Sequence, residues 1–310
     1  MNVATDTDTG TTVVYFHDGT LEGFFSAVFD AYTNPQKPDI ITTPEGFQCC
    51  FDQVSVYIET ENHKCERVYR GIHKHMGHDG YYKVKMVFLS PSPDKDTILY
   101  KYLQYGFKVG RKILNDLAHP DVTPVEHLLR ETQMEAHRMR MFARFARLDN
   151  GVYFSRINPK CNVLPLVMDH FAQRFNVQPF IIYDEVHHLA GIYDMKRWYL
   201  QYVEQMDIPA CATDDLRYQR LWKKFYDAVA IEERKNHNLR RNFMPLRFWR
   251  NLTEMTYIET AEKHMRNTFG RTAEQTPYKM EQIDSALAGN ITLQQLREPA
   301  HPVSLSDLEN

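Results

Sequence analysis

Apolar residues recur along the chain with two periods, and each period predicts a different kind of element. A β-branched and aromatic run at residues 13–16 predicts a strand, and apolar side chains at helical spacing over residues 21–32 predict a helix after the Asp18-Gly19-Thr20 turn. The same reasoning predicts a strand at residues 54–59 and helices at residues 65–76, at residues 88–110 beyond Pro91 and Pro93, and after Pro120.

The middle of the chain changes to short runs rich in β-branched and aromatic residues. These runs cover residues 152–157, 180–186 and 189–193, the last reaching residue 202 at the furthest, and they predict an antiparallel sheet. Residues 216–236 return to a helical pattern, with an apolar face and, on another face, the cations Arg217, Arg220 and Lys224. Strands flanked by helical runs predict an α+β fold in which helices pack around a central antiparallel sheet, rather than a doubly wound parallel fold.

Length and composition predict one large domain followed by a tail. The chain has 310 residues, of which 43% are hydrophobic, so it can bury a sizeable core. Apolar density falls beyond about Gly270, and residues 271–310 carry three basic and six acidic residues. We therefore expect a single α+β domain over residues 1–270 and an acidic, mobile tail over residues 271–310.

Charge and cysteine content constrain the compartment and the partners. No apolar run approaches the roughly 18 residues needed to span a bilayer, and the polar start lacks a signal-peptide pattern, so we expect no membrane partner. Five cysteines without a C-x-x-C pair suit reduced thiols in the cytoplasm and predict no iron–sulfur cluster. The net charge is only -3, yet residues 217–250 hold ten Lys or Arg against three Asp or Glu.

Familiar catalytic motifs are absent from the sequence. It contains no G-x-G-x-x-G, G-x-x-x-x-G-K-[ST], H-E-x-x-H or G-x-S-x-G pattern, so no cofactor is expected. The group His73, His75 and His78 could suggest a metal, but beside Lys74 and Gly77 a solvated patch is favoured, and we predict no metal site.

The basic stretch at residues 137–147 is the most informative part of the chain. At 100° per residue, His137, Arg140 and Arg144 share one arc of a helix, which fits either an anion-binding surface or a solvated face. Arg138 falls within the apolar arc, where an unpaired guanidinium would cost several kcal/mol. Its expected partner is therefore either a ligand anion or a buried carboxylate.

Cations and large aromatic side chains also lie close together in residues 233–249. Arg234 and Asn236 are followed by Arg247 and Trp249, a mixture that suits phosphate contact plus base stacking, or an ordinary loop packed on a core. We predict that Arg138, Arg144, Arg234 and Arg247 converge on one concave surface.

Several blocks of sequence form a recognisable set: Phe16-His17-Asp18-Gly19-Thr20, Gly106-Phe107-Lys108-Val109-Gly110-Arg111, Glu135-Ala136-His137-Arg138-Met139, Asn162-Val163-Leu164-Pro165-Leu166, Glu233-Arg234-Lys235-Asn236 and Met244-Pro245-Leu246-Arg247-Phe248-Trp249. With these blocks the chain resembles a bacterial family of uncharacterised proteins linked to DNA repair or DNA metabolism. Members are typically encoded beside a radical S-adenosylmethionine protein, and some are fused to a uracil-DNA glycosylase-like domain. Phe180 and Phe248 stand where Trp and Tyr are commoner, and both changes keep a ring.

Three functions follow from these features. The first is a nucleic-acid-binding accessory that presents DNA, with RNA left open, to a radical S-adenosylmethionine partner enzyme. The second is an enzyme acting on a damaged base or nucleotide, with His137, His170 or Asp184 transferring protons. The third is a scaffold for the radical enzyme that touches no nucleic acid. The first is favoured, and under it the isolated chain binds nucleic acid but turns over no substrate.

Overall fold

The computed structural model describes residues 12–48, 52–204 and 211–255 of the chain. Its contacts divide the chain into two compact units, residues 1–134 and residues 135–310. The expected single domain over residues 1–270 stays a prediction, because two compact units can belong to one cooperative domain or to two. The expected tail at residues 271–310 lies outside the described residues.

The first unit contains a small, entirely parallel sheet. Strand β1 (Thr12–Phe16) is its central strand, and β2 (Ile40–Thr42) and β3 (Gln53–Tyr57) lie on either side of it. Helix α1 (Leu21–Thr33) begins where the Thr20 hydroxyl accepts a hydrogen bond from the Gly23 amide at 2.9 Å. Strand β1 and helix α1 lie close to where the sequence predicts them. The parallel pairing of β1 with β2 and β3 was not expected.

The other elements described in the first unit are helical. Helix α2 (Asn62–Phe88) contains a break at Gly77, whose φ of 76° suits a residue without a Cβ. It is followed by α3 (Lys95–Val109), by a 3₁₀ turn at Gly110–Asn115 and by α4 (Thr123–Phe142), which continues past the end of the unit in the sequence.

The second unit is built on a mixed five-stranded sheet. Its strands in spatial order are β4 (Ala146–Arg147), β5 (Tyr153–Ile157), β6 (Phe180–Asp184), β7 (Leu189–Tyr193) and β8 (Trp198–Tyr202). Neighbouring pairs are antiparallel except β5 and β6, which are parallel. The α+β class is confirmed, but the expected antiparallel sheet needs correction. Helix α5 (Leu164–Arg174) connects β5 to β6 and allows them to run in the same direction.

Both faces of this sheet carry apolar clusters. On one face the end of α4, α5 and a 3₁₀ turn at Leu246–Asn251 form a core that includes Phe171, Phe180 and Trp249. The other face has a smaller cluster around Tyr183 and Ile192. Helix α6 (Thr213–Val229), a 3₁₀ turn at Glu232–Arg234 and α7 (His237–Phe243) precede the Leu246–Asn251 turn in the sequence. None of the helices in the described ranges is long and apolar enough to cross a membrane.

Candidate functional site

A depression of about 410 Å³ lies between the end of α4 and helix α5. Its apolar part consists of Phe145, Phe171 and Phe175, whose rings pack together, with Phe145 centred 5.1 Å from Phe171 and 4.6 Å from Phe175. Because these rings also belong to the core of the second unit, the depression has a rigid floor.

Four nitrogen-bearing side chains surround this aromatic floor. Arg140 lies on the last turn of α4 and Arg144 two residues after its end, while His170 and Arg174 are four residues apart on α5 and therefore share a helix face. Among the residues that the structure describes, no carboxylate lines the depression. The site is thus a cationic rim above aromatic rings. We call it the α4–α5 depression.

Arg144 is largely committed to a buried carboxylate. Its guanidinium donates to Glu254 from Nη2 at 2.7 Å and from Nε at 3.3 Å, and Glu254 is only 4% exposed. Burial raises the pKa of Glu254, but the hydrogen bonds from Arg144 and Trp222 and the charge of Arg144 bring it below its ordinary value overall. Arg144 therefore serves mainly to hold Glu254 ionised inside the unit.

Arg140 and Arg174 keep most of their donors available. One guanidinium nitrogen of Arg140 donates to the carbonyl of Leu166 at 2.9 Å, which fixes the side chain against α5. In the described part of the chain neither arginine forms an ion pair. Both are exposed, so a ligand anion can reach them from solvent.

The charges of Arg140 and Arg174 both affect the pKa of His170. Burial is the main cause that lowers the pKa of His170, and the charges of Arg140 and Arg174 lower it further. The charges of Arg140 and Arg174, which add to the effect of burial on the pKa of His170, are also the charges that would attract an anion. A bound phosphate would reverse this effect, since a negative charge favours the imidazolium.

Arg138 and Arg247 lie outside the α4–α5 depression and share one carboxylate. Arg247 donates from Nη2 to both oxygens of Glu135 at 2.6 and 2.7 Å, and Arg138 lies 3.5 Å from the same group. The Lys160 amide donates to it as well, at 2.8 Å. Glu135 is 2% exposed, so these arginines neutralise a buried acid. Of the two partners expected for Arg138, the structure shows the carboxylate.

The site residues predicted at positions 234–249 lie in different places in the second unit. Trp249 is 2% exposed and its indole N–H donates to the carbonyl of Met244 at 2.9 Å, so its ring is not available for base stacking. Asn236 caps α7 by accepting the Leu239 amide at 2.9 Å. Arg234 and Asn236 border a second depression of about 1000 Å³ beside α7.

Two of the three catalytic candidates do not form a site. The buried carboxylate of Asp184 accepts the Val186 and His187 amides at 2.9 and 3.2 Å and contacts the His187 ring nitrogen at 2.7 Å, so it fixes the turn after β6. His137 is exposed on α4 and does not border the α4–α5 depression. Only His170 has cations around it that suit a ligand site.

The expected convergence of four arginines is therefore not met. Arg138 and Arg247 pair with Glu135, Arg144 pairs with Glu254, and Arg234 borders a different depression. The structure instead brings together Arg140, Arg144 and His170, all of which the sequence offered as candidates, and adds Arg174. The sequence signal for Arg174 was its spacing of four residues from His170.

Comparison with known families gives one finding. A family model described as "Domain of unknown function (DUF4130)" matches residues 93–254, a range that includes every residue of the α4–α5 depression. No curated protein matches the chain.

Proposed function

Since the chain belongs to the family described as Domain of unknown function (DUF4130), and this membership fixes no activity, we propose from the site that the protein binds nucleic acid through the α4–α5 depression. The observation that carries the proposal is the rim of Arg140, His170 and Arg174, which has no carboxylate partner in the described chain. A guanidinium group with free N–H donors can donate two parallel hydrogen bonds to two oxygens of one phosphate.

The rim carries the hydrogen-bond donors that a phosphate diester needs. A backbone phosphate between Arg140 and Arg174 can accept from both guanidinium groups, and His170 can donate to it once protonated. The rings of Phe145 and Phe175 below the rim offer apolar contact to a sugar or base. Contacts of this kind set the position of a strand without reading its sequence.

The wider role is part of the same proposal. We assign DNA as the ligand, with RNA as the alternative, and a cytoplasmic DNA-repair or DNA-metabolism setting beside a radical S-adenosylmethionine partner. The resemblance of the sequence blocks to a family found in that context supports this role. In this division of labour the partner performs the reaction, and the present chain holds the substrate.

Salt-dependent binding tests the proposal. We expect a labelled oligonucleotide to bind the full chain, and Arg140→Ala or Arg174→Ala to weaken binding and reduce the slope of log K against log salt by about 0.7–0.9 for each phosphate that is no longer bound. Arg130→Ala is the matched control, because Arg130 is exposed on the same helix as Arg140 but does not border the depression. Equal losses in all three variants, or none, would contradict the proposal.

A further inference from the structure

The rim of the α4–α5 depression carries more positive charge than one internal phosphate of a strand can neutralise. Arg140 and Arg174 each contribute a full charge, and within the described ranges neither forms an ion pair. Arg144 adds nothing to this charge, because the Glu254 carboxylate neutralises it at 2.7 Å. The depression therefore holds the unbalanced charges of two arginines.

The two arginines reach the same turn of α5 from opposite directions. Arg140 comes from α4, and its guanidinium donates to the carbonyl of Leu166, one helical turn before His170, at 2.9 Å. Arg174 follows His170 by one turn on the same face, and its Cβ is tilted back towards His170, as every helical Cβ is tilted towards the N-terminus. Burial and then the charges of Arg140 and Arg174 lower the pKa of His170, so both arginines lie near the imidazole.

The acidic residue next to His170 faces away from the depression. Asp169 precedes His170 on α5, and consecutive residues of a helix project about 100° apart. The Asp169 carboxylate accepts the Trp198 indole N–H at 2.6 Å and does not line the depression. The positive charge of the rim is therefore available to an anion from outside the protein.

From this arrangement we propose that the α4–α5 depression binds the terminal phosphate of a nucleic-acid strand. A terminal phosphate is a monoester with three free oxygens and a charge of about −1.5 to −2 at neutral pH. An internal phosphate is a diester with two free oxygens and a single charge. The three donor groups of Arg140, His170 and Arg174 match the three oxygens, and the two guanidinium charges match the monoester. The inference rests on the proposed function and deepens it, because it names which phosphate of the ligand is bound.

The layout of the rim argues against two consecutive internal phosphates. Two phosphates of one strand would need two separate groups of donors, whereas His170 lies between Arg140 and Arg174 and is affected by both. The volume of about 410 Å³ is also near the lower end of the range for ligand pockets, which is about 300–1,000 Å³. The depression therefore suits one nucleotide at the end of a strand better than a length of strand.

Oligonucleotides that differ only at one end test the inference. The full chain is titrated at neutral pH and fixed salt with one sequence that carries a 5′-hydroxyl, a 5′-phosphate or a 3′-phosphate. We expect one of the two phosphorylated ends to bind about 10-fold more tightly than the hydroxyl end, because it adds a charge and a charge-assisted hydrogen bond. Equal affinities for the three ligands would overturn the inference.

Substitutions show whether the rim causes this preference. In Arg140→Ala and Arg174→Ala the ratio of the two affinities should fall towards one. Arg130→Ala should keep the parent's ratio, because Arg130 is exposed on the same helix as Arg140 but does not border the depression. Partial unfolding of a variant lowers its affinity for both ligands alike, so the ratio reports on the site. A ratio that is unchanged in the first two variants, or that falls equally in the control, would overturn the inference.

The outcomes also separate this inference from the proposed function. If the three oligonucleotides bind alike and Arg140→Ala weakens them equally, the depression holds an internal phosphate and only the inference fails. If a free nucleoside monophosphate competes as tightly as the phosphorylated oligonucleotide binds, the site takes a small molecule and both fail. If the parent chain binds none of the ligands, both fail as well.

Discussion

Replacing Arg144 by methionine should destabilise the second unit without removing a cation on which binding depends. The substitution keeps an unbranched side chain but leaves Glu254 without a charged partner. The Glu254 side chain is 6% exposed, and the Trp222 indole would be its remaining side-chain hydrogen bond among the described residues. Breaking one partner of a buried ion pair costs about 3–5 kcal/mol. Because Arg144 is 29% exposed, we expect the lower end, about 3 kcal/mol.

The destabilisation expected for Arg144→Met depends on pH, and the pKa of Glu254 determines the direction of that dependence. In the parent, the folded-state pKa of Glu254 is below its ordinary value, so its contribution to stability is present at neutral pH and disappears as the pH falls through that pKa. In Arg144→Met the burial that raises the pKa remains, while the hydrogen bond and charge that lowered it are gone. The destabilisation should therefore be largest at neutral pH and shrink towards pH 5.

Urea denaturation followed by tryptophan fluorescence measures the effect in the correct unit, because Trp198, Trp222 and Trp249 all lie beyond residue 134. The double variant Arg144→Met/Glu254→Met should recover most of the stability, since it removes both charges. Arg174→Met, which breaks no ion pair in the described chain, is the control. An Arg144→Met variant within about 0.5 kcal/mol of the parent would refute the reasoning, because that is the range of ordinary surface changes.

Four further predictions follow from the structure. Nucleic-acid affinity should rise as the pH falls through the lowered pKa of His170, and His170→Gln should flatten this dependence in anisotropy titrations. Glu135→Gln should cost about 2–4 kcal/mol in urea denaturation because Arg247 and Arg138 lose their shared charge, whereas Glu131→Gln on the same helix should be silent. Gly23→Ala should destabilise the first unit by about 1–3 kcal/mol, seen as faster hydrogen exchange in β1 and α1, because the new methyl group would collide with Asp18 and Thr60. The purified chain should show no turnover on damaged oligonucleotides without a partner, and turnover abolished by His170→Ala would establish an enzyme instead.

Periodicity predicted the elements better than their pairing. The expected helix at residues 21–32 is observed as Leu21–Thr33, and the expected strand at residues 152–157 as Tyr153–Ile157. Helix α5 was missed because its first turn, Leu164-Pro165-Leu166-Val167-Met168, is a continuous apolar run with a proline. Proline is well tolerated in the first turn of a helix, so Pro165 does not interrupt α5. Without this crossover helix, the parallel pairing of β5 and β6 could not be expected.

The candidate site was predictable in its residues but not in their partners. The helical arc through Arg140 and Arg144 is local information, and so is the spacing between His170 and Arg174. The pairing of Arg247 with Glu135 joins residues 112 positions apart, and periodicity carries no signal for such a contact. For this reason the sequence identified arginines as important without separating those that stabilise the fold from those that face solvent.

The buried carboxylates decide which arginines remain available for a ligand. Arg138, Arg144 and Arg247 neutralise Glu135 or Glu254, whereas Arg140 and Arg174 have no such partner in the described chain. Substituting an arginine of the first group would reduce binding in an assay through unfolding rather than through the removal of a phosphate ligand. Binding losses must therefore be compared with the free energy of unfolding of each variant. Only a variant that binds weakly while unfolding at the parent's urea concentration identifies a residue of the interface.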